Sequence, residues 1–319
     1  MTKIFLALLL ASSSIYVAEA RTVPRDSVRL SDPAILADSA TGTYYMTGTG
    51  GKLWTSKDLK MWTGPENIAL SDSTSWTGAH PAIWAAEFHR YNGGNYYFAT
   101  FTNEAIRDSS DLPRRSSAIY KAASPEGPYT PIAKESQTPA EKLTLDGTFW
   151  VENGKPYMVY CHEWLQNNDG TIEYVELSPD LTAAVGEPTL MFRASESPWS
   201  RERLDGKICP NRVTDGPWLF KTGTGRLGMI WTSWIYDVYT QGVAYSESGT
   251  LAGPWIQEAE PITPPNFGHG MIFTDFDGRT LLSCHSHRAD SNGHYIRVPH
   301  LFEVDLSGDK LVVKGLVTD

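Results

Sequence analysis

Apolar residues along this chain gather in runs of four to seven, rich in Tyr, Trp, Val, Ile and Thr, with Gly, Pro, Asp or Asn at their edges. No stretch holds apolar positions at helical spacing through three turns, so the pattern predicts strands and tight turns throughout. Five of these runs form a series: Tyr44-Tyr45-Met46-Thr47, Tyr96-Tyr97-Phe98-Ala99, Tyr157-Met158-Val159-Tyr160, Gly228-Met229-Ile230-Trp231 and Thr280-Leu281-Leu282-Ser283. About a dozen residues before each stands a polar opener: Asp32 (DPAILAD), Trp84 to Glu87 (WAAEFH), Asp146 (DGTFWVE), Asp215 (DGPWLFK) and His269 (HGMIFTD). A further strand-like segment follows each run, as in Leu53-Trp54-Thr55-Ser56, Ile119-Tyr120-Lys121-Ala122 and Gly242-Val243-Ala244-Tyr245, then a turn and a short outer strand. The openers recur every 50 to 70 residues or so, which is the period of a propeller blade. The expected fold is therefore all-β: a five-bladed β-propeller with about four antiparallel strands per blade. Inner strands of a propeller start at one end of a common axis. The five openers should then converge on one funnel, and three of them are aspartates.

The ends and the loops refine this picture. Lys3, the apolar run Ile4 to Ala11 and the small-residue ending Ala18-Glu19-Ala20 read as a secretory signal peptide over residues 1–20. That run is too short to span a bilayer. The expectation is an exported protein, periplasmic or extracellular, whose residues 21–319 form a single propeller domain without a membrane span, and a monomer. The net charge of −10 and the absence of a basic run argue against nucleic acid as a partner. Cys161, Cys209 and Cys284 are odd in number and widely spaced, which is no disulfide framework. Longer insertions are expected at residues 102–117, 134–143 and 194–210. The first carries Arg114-Arg115 and is read either as a rim of the pocket or as a solvated loop.

The openers and their neighbours resemble glycoside hydrolase family 43. Ser31-Asp32-Pro33-Ala34-Ile35 matches that family's first-blade motif, and Trp84-Ala85-Ala86-Glu87 is similar to its Trp-Ala-Pro-Glu. Leu145-Asp146-Gly147-Thr148 resembles Ile-Asp-Pro-Thr, Thr214-Asp215-Gly216-Pro217 resembles Thr-Glu-Gly-Pro, and Gly268-His269-Gly270 resembles the fifth-blade histidine motif. The resemblance extends from about residue 29 to 307. It implies a five-bladed propeller that hydrolyses plant-type polysaccharides with inversion. By this resemblance Asp32 is the general base, Asp146 the modulator of a neighbouring pKa and Asp215 the general acid. Inverting hydrolysis needs one ionised and one protonated carboxyl on opposite sides of the scissile bond, with room for water between them. The chain departs from the pattern at Asp215, where the family carries Glu. Glu163 and Glu87 are the other carboxylates able to donate the proton.

Sugar rings offer apolar faces that stack on aromatic side chains. Trp84 leads as a stacking platform, with Trp231 a further substrate contact. Glu87, Glu163, His269 and Arg288 are expected to bind sugar hydroxyls. The resemblance also places His269 near the propeller axis, beside a structural calcium reached through water; no cofactor is required for the chemistry. His285 and His287 share a strand face, but a third and fourth zinc ligand are not evident. The reading is an inverting exo-glycosidase acting on an oligosaccharide or polysaccharide. It would release terminal furanosides, α-L-arabinofuranosides first, with β-galactofuranosides or β-xylosides close behind. The alternative is a carbohydrate-binding propeller without hydrolysis. A fructan-hydrolysing propeller is disfavoured, because its Asn-Asp-Pro-Asn and Glu-Cys-Pro motifs are missing.

Overall fold

The computed structural model describes residues 21–202, 211–289 and 292–318, and of Arg288 the backbone alone. The signal-peptide reading, Cys209 and part of the third insertion lie outside the described residues. The rest forms five antiparallel sheets. Blade one holds β1 (Arg21–Pro24), β2 (Ala34–Asp38), β3 (Thr43–Thr47), β4 (Lys52–Ser56) and β5 (Met61–Asn67). Blade two holds β6 (Ala82–Tyr91), β7 (Gly94–Arg107), β8 (Pro113–Ala122) and β9 (Thr130–Pro131). Blade three comprises β10 (Thr144–Glu152), β11 (Lys155–His162), β12 (Thr171–Leu177) and β13 (Ala184–Arg193). In blade four are β14 (Asp215–Lys221), β15 (Leu227–Ile235), β16 (Val238–Ser246) and β17 (Trp255–Gln257). Blade five ends the chain with β18 (Phe267–Thr274), β19 (Thr280–Ala289), β20 (Tyr295–Asp305) and β21 (Val312–Leu316). Inner strands pack on one another in a closed ring: β2 on β6, β6 on β10, β10 on β14, β14 on β18, and β18 back on β2. The five-bladed propeller read from the sequence is the observed fold.

Burial explains the sequence pattern. Second strands are covered on both faces by adjacent blades, so Tyr96 to Thr102 in β7 is buried without alternation. Outer strands face water, and β13 is exposed along most of its length. Five apolar clusters fill the five blade interfaces. Tyr45 and Leu53 meet Phe88, Tyr97 and Tyr120 between blades one and two. Between blades five and one, Val28, Leu30 and Trp54 pack with Leu281 and Leu301.

Two features differ from the sequence reading. β1 adds an unforeseen fifth strand to blade one, antiparallel to β5. The insertion at 102–117 is no separate loop: β7 and β8 continue as a paired hairpin through it, with Asn103 opposite Arg114 and Arg107 opposite Pro113. Among the described residues no strand is shared between the first and last blades. The ring closes instead through side chains and scattered backbone bonds, among them Leu30 N–H to Arg297 O at 3.1 Å and Arg25 to Val317 O at 3.0 Å.

Candidate active site

Four of the five inner strands carry an irregularity near their starts. In β6, β10, β14 and β18 the ladder slips at Trp84/Glu87, Leu145/Thr148, Asp215/Trp218 and Gly268/Met271. These are β-bulges, which re-aim side chains at the rims of sheets. At each one a residue has left-handed backbone: Ala85 (φ 40), Asp146 (φ 56), Gly216 (φ 51) and His269 (φ 57). Asp32 (φ 57) takes the same conformation just before β2. These kinks direct Asp32, Asp146 and His269 into the mouth of the ring, with Asp215 one residue before the kink of its blade.

There they line one cavity of about 480 Å³ together with Trp84, Glu163, Trp164, Trp234, Tyr239 and Arg297. Asp32 is its best-held carboxylate. Thr49 Oγ1 donates to its Oδ2 at 2.5 Å, and His269 Nδ1 lies 3.1 Å from its Oδ1. Burial alone would raise the pKa of Asp32, but His269, His285 and the Thr49 hydroxyl outweigh it and hold the carboxyl far below the usual range. Conversely, burial works against charging His269, yet Asp32 and Asp146 push its pKa up to about 10. The two form a buried ion pair. His285 goes the other way: burial and the His269 charge bring it down to about 3, so it is neutral. Its Nδ1 accepts the Asp32 amide at 3.0 Å, which leaves its proton on Nε2, 3.1 Å from His287 Nε2. Arg297 Nε donates to the same His287 nitrogen at 3.1 Å.

Asp146 lies deeper. Burial raises its pKa to about 8, with Asp215 and Asp32 adding to the rise and His269 opposing it. The rise keeps Asp146 protonated at neutral pH, with Asp215 as a Coulombic neighbour. Asp146 Oδ2 accepts the Gly216 amide at 2.9 Å, and Asp215 Oδ2 accepts the Tyr239 hydroxyl at 3.2 Å. Gly216 has no alternative residue, since a Cβ there would sit 2.8 Å from the His269 ring in addition to the left-handed backbone.

The remaining expected contacts divide. Trp84 is half-buried in the cavity wall, and the Arg115 guanidinium covers its ring 4.0 Å from the centroid. The same guanidinium pairs with both carboxylate oxygens of Glu163. Burial raises the Glu163 pKa against this pairing. Glu163 thus lines the cavity, whereas Glu87 does not: it is buried on its strand and pairs with His89 Nε2 at 2.7 Å. Trp231 is a correction to the sequence reading. It has no exposed surface, packs on Phe192 and Trp199, and donates from its indole to Gln257 at 2.9 Å, so it belongs to the core between blades three and four. Trp164 and Trp234 occupy the wall instead. For Arg288 the side chain lies outside the described residues.

Thr49, Tyr239 and Arg297 are not singled out by sequence, whereas Arg115 stands in the insertion read as a rim of the pocket or a solvated loop. Thr49 lies just past the end of β3, beside the opener Asp32, and Tyr239 lies in β16 opposite Trp234, relations that become visible once the register is known. Among the described residues no group of three or more His, Cys, Asp and Glu side chains could hold a metal ion, which sets aside zinc at His285 and His287. His269 Nε2 is buried without a hydrogen-bond partner, as are both amide atoms of Gln241. A protonated imidazole is a donor with no lone pair to offer, so it cannot ligate a metal ion directly.

Comparison with known proteins bears on this geometry. The family model "Glycosyl hydrolases family 43" matches residues 23–311. The chain belongs to that family. Among solved structures it is similar to an endo-arabinase from Bacteroides thetaiotaomicron, with 33% identity and a TM-score of 0.76 over 88% of this chain and 95% of that one. An endo-1,4-beta-xylanase from the same organism (21% identity, TM-score 0.72, covering 94% and 100%) shares the fold. So does an alpha-L-arabinofuranosidase from Lactobacillus brevis (18% identity, TM-score 0.63, covering 89% and 93%). No curated protein sequence matches. As a family 43 glycoside hydrolase the protein acts on carbohydrate, and the carboxylate-lined cavity is the place in the fold suited to that chemistry.

Proposed function

We propose that this glycoside hydrolase cleaves arabinofuranosyl linkages with inversion, using Asp32 as general base, Asp215 as general acid and Asp146 to hold the proton supply between them. The observation carrying this reading is the pairing of opposite protonation states in one cavity. Asp32 is kept ionised by His269, and Asp146 keeps a proton beside Asp215. In the reaction a water oxygen bonds to the anomeric carbon as Asp32 takes the water proton. The glycosidic C–O bond breaks as Asp215 passes its proton to the leaving oxygen. Solvent then reprotonates Asp215 and deprotonates Asp32. Tyr239 orients Asp215 through the bond to Oδ2, which suits a side chain one methylene shorter than the family's Glu. Trp84, backed by Arg115, offers a stacking face, and Glu163 accepts from sugar hydroxyls.

The sequence reading of exo attack on terminal furanosides competes with cleavage inside a chain, and one observation favours the latter. Thr49 lines the central cavity and two neighbours: one of about 560 Å³ bordered by Trp84 and His80, and one of about 380 Å³ bordered by Tyr295 and Arg297. Such a cleft leaves room for sugars on both sides of the acids. The similar structure described as an endo-arabinase supports the same choice of sugar. A calcium beside His269, reached through water, belongs to this proposal as a structural ion supplying fixed charge. Export as a monomer belongs to it too.

Early-product proton NMR on linear arabinan tests both levels. The inverted anomer is expected first, and retention would refute the direct role of Asp32. Oligosaccharides before free arabinose would establish internal cleavage; arabinose alone from the start would restore the exo reading.

A further inference from the structure

One strand outward from the bulges runs a ring of five equivalent positions. Each faces the residue before the bulge across the first hairpin of its blade: Thr49 opposite Ser31, Thr100 opposite Trp84, Cys161 opposite Leu145, Thr232 opposite Asp215 and His285 opposite Gly268. In four blades this side chain accepts the amide of the next blade's left-handed residue. Thr49 takes Ala85 N–H at 2.9 Å, Thr100 takes Asp146 at 2.7 Å, Thr232 takes His269 at 2.8 Å and His285 takes Asp32 at 3.0 Å. Blade three breaks the ring. Cys161 is fully buried, and burial keeps its thiol protonated. A thiol sulfur is a weak acceptor. The amide it would have taken, that of Gly216, donates to Asp146 Oδ2 at 2.9 Å instead.

We propose that Cys161 is a positioning residue for the acid pair: by withholding the acceptor that Thr49, Thr100, Thr232 and His285 supply elsewhere, it leaves the Gly216 amide to Asp146 and so favours passage of the Asp146 proton to Asp215. The inference rests on the proposed roles of those two aspartates. An N–H donated to a carboxylate favours its ionised form. The Gly216 bond thus opposes the burial that holds the proton on Asp146 and eases its passage to Asp215. The other charged or titratable groups facing Asp146 are Asp32 and His269, whose Nδ1 is 3.9 Å from Asp146 Oδ2 and favours the same outcome. Tyr239 faces Asp215 from the opposite side, and its bond to Oδ2 is made equally well to the carbonyl oxygen of a protonated acid. At this position a hydroxyl, the usual choice in the ring, would take the Gly216 amide and let the proton settle on Asp146, out of line with the leaving group.

Cys161→Thr and Cys161→Val test this, since they match in shape and differ in the hydroxyl. With Cys161→Thr, kcat/KM on arabinan, whose leaving group needs the proton, is expected to fall by about ten-fold or more. On an aryl arabinofuranoside whose phenolate leaves unaided, the loss should stay below about three-fold. Cys161→Val should keep the wild-type ratio between the two substrates, whatever its overall rate. Cys161→Ser carries the same hydroxyl should the Thr variant fold poorly. A second readout needs no turnover: the Gly216 amide proton shift should follow the carboxyl titration in wild type and Cys161→Val, and lose it in Cys161→Thr. Equal substrate ratios in all variants, or a Gly216 amide that still follows pH in Cys161→Thr, would overturn the proposal. If wild type turns over neither substrate, the proposed function fails first, and the amide titration alone decides the role of Cys161.

Discussion

Asp32, Ala85, Asp146 and His269 adopt left-handed backbone that costs an L-residue roughly 1–2 kcal/mol. Aspartate bears this conformation better than most residues, and strain of this kind gathers at functional positions. Substituting Asp32→Asn keeps the shape and removes the proton acceptor. We expect kcat to fall by about 10²–10⁴-fold while the melting curve shows a folded protein; a variant keeping most of its kcat would remove Asp32 from the base role. Asp215→Asn should instead show a leaving-group split, losing most activity on arabinan and much less on an aryl arabinofuranoside. If that split appears at Glu163→Gln, the acid is Glu163.

At the scale of elements, the β7–β8 hairpin does more than join two strands. It delivers Arg115 to the back of Trp84 and to Glu163, with both partners of the ion pair almost wholly buried. Removing one member of such a pair strands a charge and costs about 3–5 kcal/mol. Arg115→Met should therefore lower Tm sharply and raise KM, because the Trp84 platform loses its backing. Adding Glu163→Leu should recover much of the stability but not the affinity for arabinan. Recovery of both by the double variant would mean that neither residue serves the substrate.

Across the whole molecule, the funnel couples stability to pH. His269 has its folded pKa raised from 6.5 to about 10, so its ion-pair contribution is full below about pH 6.5 and is lost as pH rises through about 10. Asp146, raised from 3.8 to about 8, favours the folded state less as pH climbs between those values. Both slopes have one sign, so Tm should fall steadily from pH 7 to pH 10. His269→Gln should lower Tm at pH 7 and flatten that fall, as scanning calorimetry would show. Since the first and last blades share no strand among the described residues, an axial ion near His269 would tie inner strands together. Added calcium is expected to raise Tm and a chelator to lower it; identical melting curves would remove the ion from the proposal.

Local chemistry determined much of this in the sequence alone. Runs of β-branched and aromatic residues, spaced at a blade's length, fixed the number of blades because every blade must bury the same two faces. The openers Asp32, Asp146, Asp215 and His269 stood out because each begins an inner strand, and inner strands of a closed ring share an axis. Trp231 was misplaced for the same reason that Trp84 was found. Indole rings suit sugar faces and blade cores alike, and only the packing against Phe192 and Trp199 separates them. Tyr239 and Thr49 meet the carboxylates across many residues of chain, so no local pattern could report them, and the charged insertion holding Arg115 left rim and solvated loop equally open. Protonation was decided last of all. It follows from which amide, imidazole and hydroxyl reach each buried carboxyl, and those distances exist only once the ring has closed.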